Sequence, residues 1–332
     1  MPFERDDKIP TRHTTPDALN MPRELDATRL GDHALQRTLL ATRPRFLLLA
    51  LVAAGIGLAA AHASGLTINP PWAVLTLVGA VVLHAAANVH NDLADDLNGS
   101  DAVNEDRQFP FTGGSRMIQS GLMTRHATQR LAGSLYTLTI GIGLVLLVPG
   151  GWPLLVLGVA GLMMAWAYSA PMVSLNARGL GEVAVGIGFG IVIPLGADTV
   201  QRGDLHTLPI VTGVGFALMT TSLLLINQFP DFKADRLAGK RHLVVRLGRR
   251  RARYAFLSTT AAAYLAPALL VALGHLPVSM LAVLLALPLS LIAGRDLWVN
   301  HDTPERLRRS LAATVAATLL YGSLTITGLT FA

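Results

Sequence analysis

The 332-residue chain contains no cysteine, which excludes disulfides, thiolate metal sites, iron–sulfur ligation and a cysteine nucleophile. Charge is also scarce: Asp, Glu, Lys and Arg make up 14% of the residues, against roughly 25% in a soluble domain. That deficit argues against a soluble enzyme. Aromatic residues reach only 6%, a poor supply for the core of a β-sandwich or barrel. What fills the chain is aliphatic sequence, 52% hydrophobic overall with 31 Gly and 18 Pro, a mixture suited to small-faced, kinked membrane helices. The few charges are clustered, and 46–91 and 131–177 carry none. Each of these stretches is long enough for two spans of roughly 20 residues.

Turn signals such as Pro70-Pro71, Pro149-Gly150-Gly151 and Gly274 to Pro277 divide the apolar sequence. Spans are expected near 46–64, 71–91, 127–148, 152–170, 180–197, 208–228, 252–273, 277–294 and 310–330, which gives an all-α, polytopic membrane protein with nine transmembrane helices. Of the 27 Lys and Arg, all but Arg202 then fall on the side of the N-terminus, which the positive-inside rule makes cytoplasmic. The net charge of +6 is therefore topogenic, and no nucleic-acid partner is expected. Residues 1–42 read as a polar tail lying on the membrane face, without a signal peptide. Residues 43–332 read as one helical domain in the inner cell membrane, with its long polar loops in the cytoplasm.

Two acidic motifs stand at the cytoplasmic ends of the second and sixth spans. In the first, at 88–101, Asn88, Asn91, Asp92 and Asp95 share one face if the helix continues, and Gly99 is placed to cap it before Asp101. In the second, at 227–241, Asn227, Asp231 and Asp235 recur every four residues. Carboxylates packed this closely repel one another unless a cation is present, and hard oxygen ligands select Mg²⁺, which keeps positions for phosphate oxygens. The implied ligand is a phosphate ester. Basic residues beside each motif, Arg107 and Arg116 in one and Lys240 and Arg241 in the other, can meet its remaining charge; Lys233 and Arg236 are secondary candidates.

These motifs resemble those of the UbiA superfamily of membrane prenyltransferases, and the resemblance covers most of 40–330. Within it the chain is similar to the branch that prenylates 1,4-dihydroxy-2-naphthoate in menaquinone synthesis. Four stretches carry the likeness: Arg43-Pro44; Asn91-Asp92 with Asp95, Gly99 and Asp101; Gly114-Ser115-Arg116 with Ile118-Gln119 and Gly121-Leu122; and Asp231 with Asp235-Arg236, Gly239-Lys240-Arg241, Val245-Arg246-Leu247-Gly248. Tyr168-Ser169-Ala170-Pro171 and Gly179 to Glu182 match the family's loop between the fourth and fifth helices. Met172 stands where hydroxybenzoate-type members tend to carry a basic residue, which weighs against the ubiquinone-pathway branch. The resemblance implies a nine-helix bundle, a polyprenyl diphosphate donor, an aromatic acceptor and Mg²⁺. It makes Asp92, Asp95, Asp231 and Asp235 the catalytic, metal-holding residues, and Asn88, Asn91, Asp101, Arg107, Arg116, Asn227, Lys240 and Arg241 substrate contacts.

Arg43, ahead of the first span, and Tyr168, at the end of the fourth, are further candidates for substrate contact because both lie on the side of the motifs. His84 and His90 read as hydrogen-bonded packing residues, and Glu182 as an acid favoured by the start of its helix. Hydroxybenzoate, homogentisate or a specialised metabolite are the alternative acceptors. From another class, a polytopic transporter would place its acids near the midplane, whereas these crowd the helix ends.

Overall fold

The computed structural model describes residues 34–332, and all regular structure there is helical. The first part of the tail lies outside the described residues. From Ala34 the chain forms α1 (Ala34–Ala41), followed by α2 (Pro44–Ala63), α3 (Pro70–Asn98), α4 (Arg125–Ser169), α5 (Gly181–Arg202), α6 (Leu208–Leu237), α7 (Leu243–Leu247), α8 (Arg249–Ala272), α9 (Val278–Asn300) and α10 (Arg308–Thr330). The end of the tail is helical, and Ala41 is buried with Val89, Met117 and Leu122.

Eight of these helices are long and apolar enough to cross a membrane, one fewer than the nine spans expected. The difference is α4, a single 45-residue element whose length of about 68 Å at 1.5 Å per residue far exceeds a bilayer core of about 30 Å. Its backbone leaves helical geometry at Gly151 (φ 59°, ψ −158°), at the Pro-Gly-Gly sequence that separates the third and fourth predicted spans. Helices α3 and α6, at 29 and 30 residues, are longer than a span requires. Their last turns hold the two acidic motifs, and Gly99 ends α3 in the left-handed conformation (φ 80°) expected of a cap. Helix α5 is interrupted by a π-helical segment, Gly188–Val192, and α9 begins as a 3₁₀ helix.

Lipid tails are as apolar as leucine, so helices in a bilayer associate through close packing more than through water exclusion. Small residues allow it. A Cβ on Gly213 of α6 would overlap the Gly190 carbonyl oxygen in the π segment, and one on Gly57 of α2 would overlap the Pro194 carbonyl. The core set around α6 includes the fully buried Phe216, Phe229, Phe256 and Tyr321, and the Tyr321 hydroxyl donates to the Ala263 carbonyl at 2.7 Å, so its polar atom is not orphaned. At the other end of the bundle, Arg202 is tied to buried Asp198 by two hydrogen bonds of 2.8 Å. We expect Gly213→Ala to lower stability by about 1–3 kcal/mol through overpacking. Thermal unfolding in detergent checks this; an unchanged midpoint would mean that α5 and α6 can separate without cost.

Candidate active site

The overlong ends of α3 and α6 bring the two acidic motifs to the same end of the bundle, where Lys240 joins them. Its Nζ lies 2.7 Å from Asp95 Oδ1 and 2.9 Å from Asp235 Oδ1, and the residue is only 8% exposed. Burial works against the ammonium, yet Asp95 and Asp235 outweigh it and hold Lys240 above the ordinary lysine range. Asp235 also meets His242 Nε2 at 3.1 Å. Because His242 Nδ1 accepts from Val245 N at 3.4 Å, Nε2 carries the proton and donates to the carboxylate.

The other two carboxylates have separate partners. Asp92 pairs with Arg43 Nη2 and accepts from the Ser115 backbone N–H, 3.2 Å from each oxygen. Arg43 Nη2 also donates to Asn91 Oδ1 at 3.3 Å, Asn91 Nδ2 donates to Ser169 Oγ at 3.3 Å, and Asn88 Nδ2 donates to the Thr42 carbonyl at 2.9 Å. Asp231 Oδ1 accepts from Asn104 Nδ2 at 2.7 Å, and the Asn104 carbonyl accepts from Arg116 Nη1 at 3.4 Å. The loop after α3 thus ties the first motif to the second. Arg43 and Arg116 both hold φ at 55°, a left-handed conformation that costs a non-glycine residue about 1 kcal/mol or more and that clusters at functional sites. Buried Asp101 is pushed up to about 8, by burial first and then by Asp95 and Asp92.

Among the described residues no three His, Asp or Glu side chains are grouped as a metal would require; the chain's own cations, Lys240 and Arg43, separate the carboxylates instead. The donor set still fits Mg²⁺. Buried Asp101 Oδ2, Asn104 Oδ1 and Asn227 Oδ1 have no hydrogen-bond donor among the described residues, so this end of the molecule is rich in oxygen acceptors, the chemistry a hard cation requires.

Not every expected contact converges. Arg241 is exposed and works through its backbone, its N–H donating to the Ala177 carbonyl at 2.6 Å and its carbonyl accepting from Arg246 Nε at 2.7 Å. The Arg107 stem lies against Gly113. Lys233 pairs with Asp106 at 2.9 Å, while Arg236 is exposed. Glu182 does more than favour a helix start: its Oε1 accepts from Gln228 Nε2 at 2.9 Å and Leu243 N at 2.8 Å, linking α5 to α6 and α7. His90 Nδ1 meets the Tyr136 hydroxyl at 3.4 Å, as expected for a packing histidine. His84 does not follow suit, since its buried Nδ1 has no partner among the described residues. Asn104 and His242 escaped the sequence reading; His242 stands two residues beyond Lys240, the one signal that could have drawn attention to it.

Below the polar end, a cavity of about 570 Å³ runs into the bundle. Arg43, Asn88, Asn91, Tyr168 and Asn227 line it beside the motifs, and most of its remaining wall is aliphatic. Ile140, Leu144, Leu155 and Val159 are part of that wall yet 46–60% exposed, so one side of the cavity is bounded by apolar outer surface.

The comparisons with known proteins agree with this architecture. The chain is 32% identical over 302 residues to a 1,4-dihydroxy-2-naphthoate octaprenyltransferase from Mycobacterium leprae, a match covering 86% of this chain and 95% of that protein. The apo structure of a UbiA homolog from Aeropyrum pernix superposes with a TM-score of 0.66 at 19% identity, covering 85% and 97% of the two chains. A UbiA homolog from Archaeoglobus fulgidus bound to DMAPP and Mg²⁺ superposes with a TM-score of 0.60 at 14% identity, covering 88% and 99%. The model of the UbiA prenyltransferase family matches residues 47–324, and with that match, the shared fold and a relative aligned over nearly its whole length, the chain belongs to the UbiA prenyltransferase family.

Proposed function

We propose that this membrane enzyme transfers a polyprenyl group from an allylic diphosphate to 1,4-dihydroxy-2-naphthoate, with Mg²⁺, at the cytoplasmic face of the inner cell membrane. The observation that carries the proposal is the meeting of two acidic motifs around Lys240 at the mouth of a deep apolar cavity. The naphthoate octaprenyltransferase among its relatives supports the acceptor, and the Archaeoglobus fulgidus homolog bound to DMAPP and Mg²⁺ supports the donor class and the cofactor. The excess of Lys and Arg on the side of the motifs supports the cytoplasmic face.

Asp92, Asp95, Asp231 and Asp235 would hold Mg²⁺, which neutralises diphosphate and so turns it into a leaving group. Lys240, Arg43 and Arg116 bring further positive charge to the same end, where the leaving group's negative charge grows. The allylic C–O bond breaks and diphosphate departs with its electron pair. The ring carbon bearing the carboxylate then forms the new C–C bond, and loss of CO₂ returns electrons to the ring. No protein base is required for that sequence. The aliphatic cavity keeps water from the allyl cation, and its exposed apolar wall gives a long isoprenoid a place to lie.

Mass spectrometry of products tests this, using purified protein with geranylgeranyl diphosphate, one of dihydroxynaphthoate, hydroxybenzoate or homogentisate, and Mg²⁺ or EDTA. A prenylated, decarboxylated naphthoquinol formed only with Mg²⁺ is expected. Diphosphate release with product from another ring would replace the acceptor, and no donor consumption would overturn the reading.

A further inference from the structure

Polar side chains deep in the cavity are nearly all satisfied within their own helices. Thr76 Oγ1 donates to the Trp72 carbonyl at 2.7 Å, Thr139 Oγ1 to Leu135 at 2.9 Å and Thr220 Oγ1 to Phe216 at 3.1 Å. His84 is the exception at that depth; nearer the motifs, Asn227 Oδ1 is also unpartnered among the described residues. His84 lines the cavity, its Nδ1 is buried without a hydrogen-bond partner among the described residues, and its ring makes an edge contact with Phe189, the centroids 4.9 Å apart and the planes at 73°. His84 is half-buried, and among the described residues neither ring nitrogen has a hydrogen-bond partner, so the imidazole keeps donor and acceptor capacity for a ligand that enters the cavity it lines.

The position of His84 indicates which ligand. It lies four residues, one helical turn, before Asn88 on α3, on the stripe that continues through Asn91 to Asp92 and Asp95. Phe189 belongs to the π-helical segment of α5, a deviation from α-geometry of the kind that recurs at functional sites. An isoprenoid tail has nothing to offer an imidazole. The aromatic acceptor does, and a ring with two para hydroxyls is comparable in span to one helical turn, about 5.4 Å. We propose that His84 binds the acceptor, hydrogen-bonding the hydroxyl that points away from the acidic motifs while Phe189 packs beside the ring, so that the site selects para-dihydroxylated aromatics.

This inference rests on the function proposed above, and its test separates the two. The KM for dihydroxynaphthoate and for donor would be measured for the parent protein, His84→Phe and His84→Gln, together with the competitive inhibition constant of 1-hydroxy-2-naphthoate, which lacks the far hydroxyl. Loss of one neutral hydrogen bond predicts a roughly tenfold rise in acceptor KM for His84→Phe, with donor KM and the monohydroxy inhibition constant unchanged. His84→Gln, which keeps a hydrogen-bonding group, should recover part of the loss. An unchanged acceptor KM in both variants, an equal weakening of both aromatics, or a change confined to the donor would overturn the assignment. If His84→Phe fails to fold, His84→Gln decides by the same comparison. A parent protein that never consumes the naphthoate would overturn the proposed function and this inference with it.

Discussion

Asp231→Asn will cut prenyl transfer by roughly 10² to 10³ or more while leaving the protein folded. Asp231 stands on the last turns of α6, where its carboxylate accepts hydrogen bonds from Asn104 Nδ2, at 2.7 Å, and from the Thr112 side chain. An asparagine keeps the volume and an oxygen that can still accept such hydrogen bonds, so the fold loses little. What disappears is a negative charge at the place where Mg²⁺ and diphosphate are expected to meet, and loss of one preorganised electrostatic contact to a developing charge typically costs that much in rate. Turnover by product mass spectrometry, read beside the unfolding midpoint, checks it. Near-parent turnover would remove Asp231 from the site, and a large fall in midpoint would make its role structural.

The second large effect concerns stability. Lys240→Met will lower the unfolding free energy by about 3–5 kcal/mol in the absence of divalent cation, the usual consequence of removing one partner from a buried ion pair. Lys240 is hidden from solvent between Asp95 and Asp235, and methionine fills much of its volume without its charge. The two carboxylates would then face each other, with His242 the remaining partner of Asp235. Added Mg²⁺ should recover part of the loss, because an ion that binds the folded state stabilises it in proportion to its occupancy. Thermal unfolding of the variant with Mg²⁺ and with EDTA is the measurement. An unchanged midpoint would show that the carboxylates separate freely once the lysine is gone, and a loss that Mg²⁺ does not relieve would argue that metal does not bind between them.

The two experiments probe different consequences of one arrangement. In the structure the acids are neutralised by side chains of the same chain: Arg43 on Asp92, Lys240 across Asp95 and Asp235. Binding of metal and diphosphate would have to redistribute these pairs, since Lys240 and Arg43 occupy the carboxylates proposed to hold the metal. Among the described residues the side-chain oxygens Asp101 Oδ2, Asn104 Oδ1 and Asn227 Oδ1 have no hydrogen-bond donor, acceptor capacity that the proposed cation would use.

Much of this was determined by sequence alone. Charge-free apolar runs give membrane helices because no unpaired backbone can cross a bilayer, and the four-residue spacing of Asn227, Asp231 and Asp235 places them on one helical face whatever packs against it. Gly99 caps α3 because the backbone there takes a positive φ that glycine adopts without strain. Other features depend on residues far apart in the chain. Nothing local says that Lys240 reaches Asp95, 145 positions away, that Asn104 reaches Asp231, or that Arg241, adjacent to Lys240, turns its side chain outward. A lysine and an arginine side by side are equivalent as composition, and only the direction in which the loop enters α7 separates them. The same holds for His84: its spacing to Asn88 was visible, but that α5 sets Phe189 of the π-helical segment against it, and that it has no hydrogen-bond partner among the described residues, are facts of tertiary packing that no periodicity encodes.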